Sequence, residues 1–217
     1  MRDVKPRRRY DASNRQERAR RSRQTVLDVA QERFLTHGYG LTTVVEIAQE
    51  AAVSPETIYK AFGGKAGLAK AIYDRGLEGQ GALPAYQRSD QMRERETDPR
   101  VIMRGWGRLT AEVAHVLTPI RLLLRSAATT DADMAQVLED RDRERLERMR
   151  HHASFLEERG YLRNDVTVEK ATDILWACSS AELYEILVIQ RGWSLEQFAE
   201  FIGDFMISGL LRPTDNA

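Results

Sequence analysis

The chain has 217 residues, 42% of them apolar and 30% charged, which is enough for a sizeable core and ordinary for a globular protein. Lys and Arg (33) balance Asp and Glu (33), yet residues 1–65 carry 13 basic against 8 acidic groups, so a basic N-terminal module precedes an acidic body, the sign pattern expected when only the first part meets nucleic acid. The longest aliphatic run, Ile186 to Ile189, is too short to span a bilayer, no signal peptide is evident, and the single Cys178 excludes an internal disulfide; a cytoplasmic location without membrane attachment is expected.

Residues 1–14, MRDVKPRRRYDASN, are polar and basic and are expected to be a disordered arm. The Arg7-Arg8-Arg9 run suits either a solvated tail or a strand laid along a DNA backbone or minor groove. A first helix is expected from about Arg15 to His37, with Val26, Val29, Ala30, Arg33 and Phe34 on one stripe and Gly38-Tyr39-Gly40 as its stop.

Two short helices follow. Thr43 with Glu46 three residues on makes a capping box, and Val44, Ile47 and Ala48 share a face. Ser54 caps the next helix, Pro55 takes its first position, and Gly63-Gly64 end it. Two short helices across a tight turn read as helix-turn-helix, whose second helix enters a major groove. The outward set on that helix, Pro55, Glu56, Thr57, Tyr59 and Lys60, is mostly polar, and Lys65 opens another helix.

The stretch TTVVEIAQEAAVSPETIYKAFGGKAGL resembles the DNA-binding region of the TetR family of bacterial transcriptional regulators. It has the threonine-led helix, I-A, A-x-V-S, T-I-Y-x-x-F and a Lys opening the fourth helix, over roughly residues 20–75. It departs at Ala52, where the family usually has Gly, and at Ala61, where it often has His. The resemblance implies base-edge contacts from Pro55, Glu56, Thr57 and Lys60. It implies phosphate contacts from Thr42, Thr43, Ser54, Tyr59 and Lys65 through hydroxyl, ammonium or backbone N–H groups. It also implies control of neighbouring genes, a homodimer and a small-molecule effector.

Beyond Lys65 a helix continues past Leu77, and residues 87–98, QRSDQMRERETD, read as a loop or frayed end. Asp98-Pro99 opens a helix with Ile102, Trp106, Leu109, Val113 and Val116 on one stripe, and Thr118-Pro119 repeats the start signal. Asp131 begins a long helix to about Arg159, whose charged middle, Glu139 to Arg145, is expected to be a solvated face. Helices of about 167–191 and 194–211 close the chain, and their wide apolar coverage suits a homodimer interface.

The expected fold is all-α, about nine helices: a helix-turn-helix DNA-binding domain over 15–65 (motif about 43–62) and a ligand-binding and dimerisation domain over 66–217. Trp106, His115 and Trp176 are the residues expected to line a mainly apolar cavity for an apolar or aromatic effector. No Gly-rich phosphate loop, metal pair or nucleophile–base set stands out; adjacent His151 and His152 point to different sides of a helix, and Cys178 reads as a core residue. No cofactor is expected. The reading is a repressor that a small molecule releases from operator DNA; an all-α enzyme and an architectural DNA-binding protein are the alternatives.

Overall fold

A computed structural model describes residues 10–79 and 81–213. It forms two compact units, residues 1–72 and 73–217. Among the described residues the only β pairing is an isolated bridge between Leu162 and Leu211. The expected all-α fold is what forms, with ten α-helices and one π-helical segment.

In the N-terminal unit α1 (Tyr10–His37), α2 (Val44–Glu50), α3 (Pro55–Phe62) and the start of α4 (Lys65–Glu78) enclose one core. The backbone is already helical at Tyr10; the rest of the expected arm, with Arg7 to Arg9, lies outside the described residues. Val26, Leu27, Ala30 and Phe34 of α1 meet Ile47 and Ala48 of α2, Ile58 of α3 and Leu68, Ala69 and Ile72 of α4 in the buried set. The polar edge of α1 also holds its neighbours. Arg33 donates to Glu50 at 2.7 Å and approaches Glu46 at 3.5 Å; Arg23 lies 4.3 Å above the Phe62 ring.

α2 ends in a Schellman cap: Val53 N–H donates to Ala48 O at 2.9 Å and Ala52 N–H to Gln49 O at 3.3 Å. That motif places Ala52 at φ 53°, a left-handed conformation in which it stands alone among described non-glycine residues.

The C-terminal unit contains the rest of α4, α5 (Ala85–Arg95), α6 (Pro99–Ala127), α7 (Ala132–Glu158), α8 (Val168–Cys178), α9 (Ala181–Tyr184), the π-helical segment Glu185–Gln190 and α10 (Leu195–Leu210). Three expectations change here. Residues 85–95 form a regular helix rather than a loop, with Ala85 and Ser89 buried on its inner face. Thr118-Pro119 does not restart a helix: α6 runs through it, because Thr118 and Ile120 are buried in the surrounding unit. The expected 167–191 helix breaks at Ser179-Ser180, where the Ser180 hydroxyl accepts from Leu183 N–H and caps a new turn.

The core of this unit runs from Ile102, Met103 and Trp106 on α6 to Phe198, Ile202 and Met206 on α10. α6 and α10 meet backbone to backbone: a Cβ on Gly107 would stand 2.5 Å from Ala199 O, and one on Gly203 3.2 Å from Arg104 Cα. Cys178 is buried there, and burial pushes its thiol up to about 12.

Candidate nucleic-acid interface and candidate effector cavity

The recognition surface is built by caps. Thr43 Oγ1 accepts from Glu46 N–H at 3.2 Å, while Thr43 N–H donates back to the Glu46 carboxylate at 2.9 Å, so the capping box forms. Ser54 Oγ accepts from Thr57 N–H at 3.3 Å and lies 3.2 Å from Thr57 Oγ1. A bond from the Ser54 hydroxyl, and then from its own backbone, holds the Glu56 carboxyl below the usual range, so this side chain is an anion at the helix start. Ile58 alone of α3 is buried; Glu56, Thr57, Tyr59 and Lys60 are exposed and Pro55 is half-buried. Tyr59 shows 56% of its surface, its ring beside Gly64.

Two residues expected at phosphate have their side chains engaged inside the unit. Thr42 is buried and its hydroxyl donates to Gly38 O at 2.9 Å. The Lys65 ammonium donates to Tyr39 O at 2.8 Å and Thr42 O at 3.1 Å, with the Tyr39 ring 4.2 Å away. Lys65 therefore ties the α1–α2 loop to the start of α4. Spacing located these residues but not these partners, since Tyr39 is 26 positions away.

In the C-terminal unit a cavity of about 330 Å³ lies between α4, α5, α6, α7, α8, α9 and α10. Leu109, Val113, Leu117, Met149, Leu175 and Met206 supply apolar wall. Trp106 lines it as expected. His115 and Trp176 do not: His115 is exposed, its Nδ1 3.0 Å from Tyr184 Oη, and Trp176 lies beneath the Arg145 guanidinium, 3.3 Å from plane centre to Cζ.

Much of the polar lining comes from α7, where Arg141 and Arg145 belong to the Glu139–Arg145 run expected to face solvent and Arg148 and His152 lie beyond it. Arg141, Arg145, Arg148 and His152 recur at helical spacing and turn inward, and all four line the cavity. Arg141 is 9% exposed and holds Asp74 at 2.7 Å and Glu144 at 2.6 Å. Arg148 takes Asp90 at 2.7 Å. Arg145 donates to Trp176 O and Ser179 Oγ, both at 2.9 Å. Burial, then the neighbouring Arg121 charge, brings the Arg145 pKa down to about 10. Burial is the largest single influence on Arg121 and works against its charge, but the Asp142 carboxylate at 2.5 Å and Tyr73 together outweigh it and its pKa rises.

His152, packed 4.2 Å from the Trp106 ring and 3.2 Å from Ser89 Oγ, is held well below its usual pKa by burial and by the Arg148 and Arg93 charges, so it is neutral. Sequence spacing alone could have found this stripe, since positions 134, 141, 145, 152 and 156 repeat at helical intervals; its basic residues disguised it as surface. No group of three or more His, Cys, Asp or Glu among the described residues could hold a metal ion.

A family profile described as bacterial regulatory proteins, tetR family, matches residues 26–72, the stretch that holds the C-terminal part of α1, all of α2 and α3 and the start of α4. The match places the helix-turn-helix of the N-terminal unit beside the DNA-binding segments of TetR-family regulators. Among curated proteins nothing matches the sequence.

Solved structures carry the likeness over both units. A Syntrophomonas wolfei protein placed in the TetR family is 21% identical with a TM-score of 0.71, covering 87% of this chain and 94% of its own. FadR from Bacillus subtilis, in complex with stearoyl-CoA, is 17% identical at 0.68, covering 86% and 98%. NalD, the secondary repressor of a multidrug efflux pump in Pseudomonas aeruginosa, is 20% identical at 0.68, covering 90% and 98%. At these identities the likeness establishes the TetR-type fold alone. No helix among the described residues is long and apolar enough to cross a membrane.

Proposed function

We propose that this protein is a homodimeric TetR-family repressor that a small molecule, held in the cavity of the C-terminal unit, releases from operator DNA. The observation that carries the reading is the cavity itself, with apolar side chains from several helices and a few polar groups in its lining. FadR with stearoyl-CoA and the repressor NalD, both of the same fold, support it. Glu56, Thr57 and Lys60, exposed on one face of α3, with Pro55 at its start, are assigned to base edges; Thr43, Ser54 and Tyr59 are assigned to phosphates through their side chains. For Thr42 and Lys65 the engaged side chains leave a backbone contribution.

The dimer is assigned to the outer face from α8 to α10. Ile186, Ile189, Leu195, Phe201 and Phe205 are all more than a third exposed there, and Trp193 packs edge-on against Phe201. One recognition helix reads only a few base pairs, so two-fold pairing supplies the missing specificity.

A gel shift with DNA flanking the protein's own gene tests the first half of the reading, and light scattering tests the second. A retarded complex that a cavity ligand dissolves, formed by a dimer at micromolar concentration, is the expected result. A monomer there overturns the dimer, and a ligand that fills the cavity while leaving DNA affinity intact overturns the release. The enzyme alternative has no observation in its favour.

A further inference from the structure

The cavity's polar atoms are unevenly balanced. Arg141 has two carboxylates, Asp74 and Glu144, and Arg148 has Asp90 together with Tyr86 O at 2.8 Å. Arg121 and Arg145 share one. Their Nη2 atoms point at the same oxygen, Asp142 Oδ1, at 2.5 and 3.7 Å, which holds the two guanidiniums within about 6 Å of one another. Glu182 and Glu185 both lie on Arg125, at 3.0 and 3.2 Å, and none of the three lines the cavity. One end of the cavity therefore presents two guanidiniums with Asp142 as their only directly paired carboxylate, their side chains only 12% and 14% exposed.

Three guanidinium donors of the lining are buried without any acceptor: Arg121 Nη1 and Arg145 Nε at that end and, elsewhere on α7, Arg141 Nε. Buried cationic donors without acceptors are costly, because desolvation is suffered with no bond in return. Trp176 and Ser179 fix the Arg145 guanidinium from one side, and Asp142 fixes Arg121 from the other. Tyr73, against Arg121, adds another polar group to the same end of the lining. Leu109, Val113, Leu117, Met149, Leu175 and Met206 supply aliphatic and thioether wall for a chain.

We infer that the effector is an anionic amphiphile, an aliphatic chain ending in a carboxylate or phosphate whose oxygens take the unpartnered donors of Arg121 and Arg145. The inference rests on the cavity being the effector site, and it adds the chemistry of the head group. An oxyanion there adds a second counter-charge and satisfies both donors through charge-assisted bonds, which are the strong kind. An alcohol or amine cannot: the first brings no charge and the second brings a like one. The volume of about 330 Å³ holds roughly eleven non-hydrogen atoms at ~30 Å³ each, so a medium-length chain fits without distortion.

Calorimetric titration of the full-length protein with decanoate, heptyl phosphate (matched to decanoate in size), 1-decanol and decylamine reads the head group directly. Decanoate or heptyl phosphate should bind at least tenfold more tightly than 1-decanol, and decylamine most weakly; which of the two anions wins identifies the oxyanion. In Arg145→Met the anion should fall to the affinity of the alcohol while the alcohol is unchanged. Arg145→Lys should keep much of the preference, which guards against a variant that merely fails to fold.

Equal binding of decanoate and 1-decanol overturns the inference and leaves the cavity standing as an apolar effector site. No binding by any of the four overturns both. Anion binding that depends on Arg145 but leaves operator affinity unchanged upholds the head-group assignment and removes the regulatory reading.

Discussion

Replacing Ala52 by glycine should stabilise the helix-turn-helix. Ala52 occupies the C′ position of the Schellman cap at φ 53°, where an L residue with a Cβ costs about 1–2 kcal/mol relative to its usual conformations. Glycine has no such penalty but loses about 0.4–1 kcal/mol more backbone entropy on folding. The Ala52 side chain is exposed, so no packing is lost with its methyl group. The balance is a gain of about 0.5–1 kcal/mol, confined to the turn and the helices it joins. Global unfolding of a two-unit protein would blur so small a term, and Trp106, Trp176 and Trp193 all lie in the other unit, so tryptophan fluorescence is blind to it. Hydrogen–deuterium exchange of α2 and α3 is the suitable assay: protection should rise about two- to fivefold, while the fluorescence transition stays where it was. Unchanged or reduced protection in Ala52→Gly would refute the argument, since it would mean that the turn does not hold this residue in the left-handed region.

Lys60 and Lys65 should separate in what their loss changes. Lys60→Ala should relax the base preference at the position it reads by about 1–3 kcal/mol, while Lys65→Met should lower the stability of the N-terminal unit by about 1–3 kcal/mol, because Tyr39 O and Thr42 O lose their donor; a base preference that Lys60→Ala leaves intact across a site library removes that residue from the base contacts. His152 is neutral when buried but takes a proton in the unfolded chain, so its contribution is complete above about pH 6.5 and is lost as pH falls, by about 1.4 kcal/mol per unit. Urea titrations followed by tryptophan fluorescence at pH 7 and 5.5 should show the loss, and His152→Gln should flatten it; an equal slope in that variant contradicts the assignment. Phe205→Asp, on the exposed face of α10, should give a folded monomer with weakened operator affinity in light scattering and gel shift, whereas loss of helical circular dichroism would place Phe205 in the fold rather than the interface.

The N-terminal unit was legible because its signals are local. Thr43, Ser54 and Pro55 act on groups within three residues, and the same chemistry located the starts of α8 and α10 at Thr167 and Ser194. The Ala52 anomaly was visible for the same reason. The errors lie where a distant partner overrides local character. α5 is too polar to announce itself, and it is held by Ser89 against His152 and by Arg88 on Glu112, the latter at 2.6 Å. The inward arginines of α7 find carboxylates 58 and 67 positions away, which no window on the sequence reveals. His115 was expected in the cavity from its place on α6, but it sits on the exposed side of a helix whose buried stripe runs through Trp106, Leu117 and Leu124. Polar residues that line a cavity look like surface residues until their partners are known.

The seam between Gly107 and Gly203 gives the C-terminal unit a mechanical property. Where side chains separate two helices, small displacements are absorbed by changes of rotamer; here no such cushion exists, since peptide atoms of one helix rest on those of the other. α6 and α10 accordingly share a single coordinate of motion. Trp106, adjacent to Gly107, forms part of the cavity wall, and Phe201 and Phe205 stand outward on α10. A ligand that displaces that wall is expected to carry α10 with α6 and so to shift the outer aromatic face.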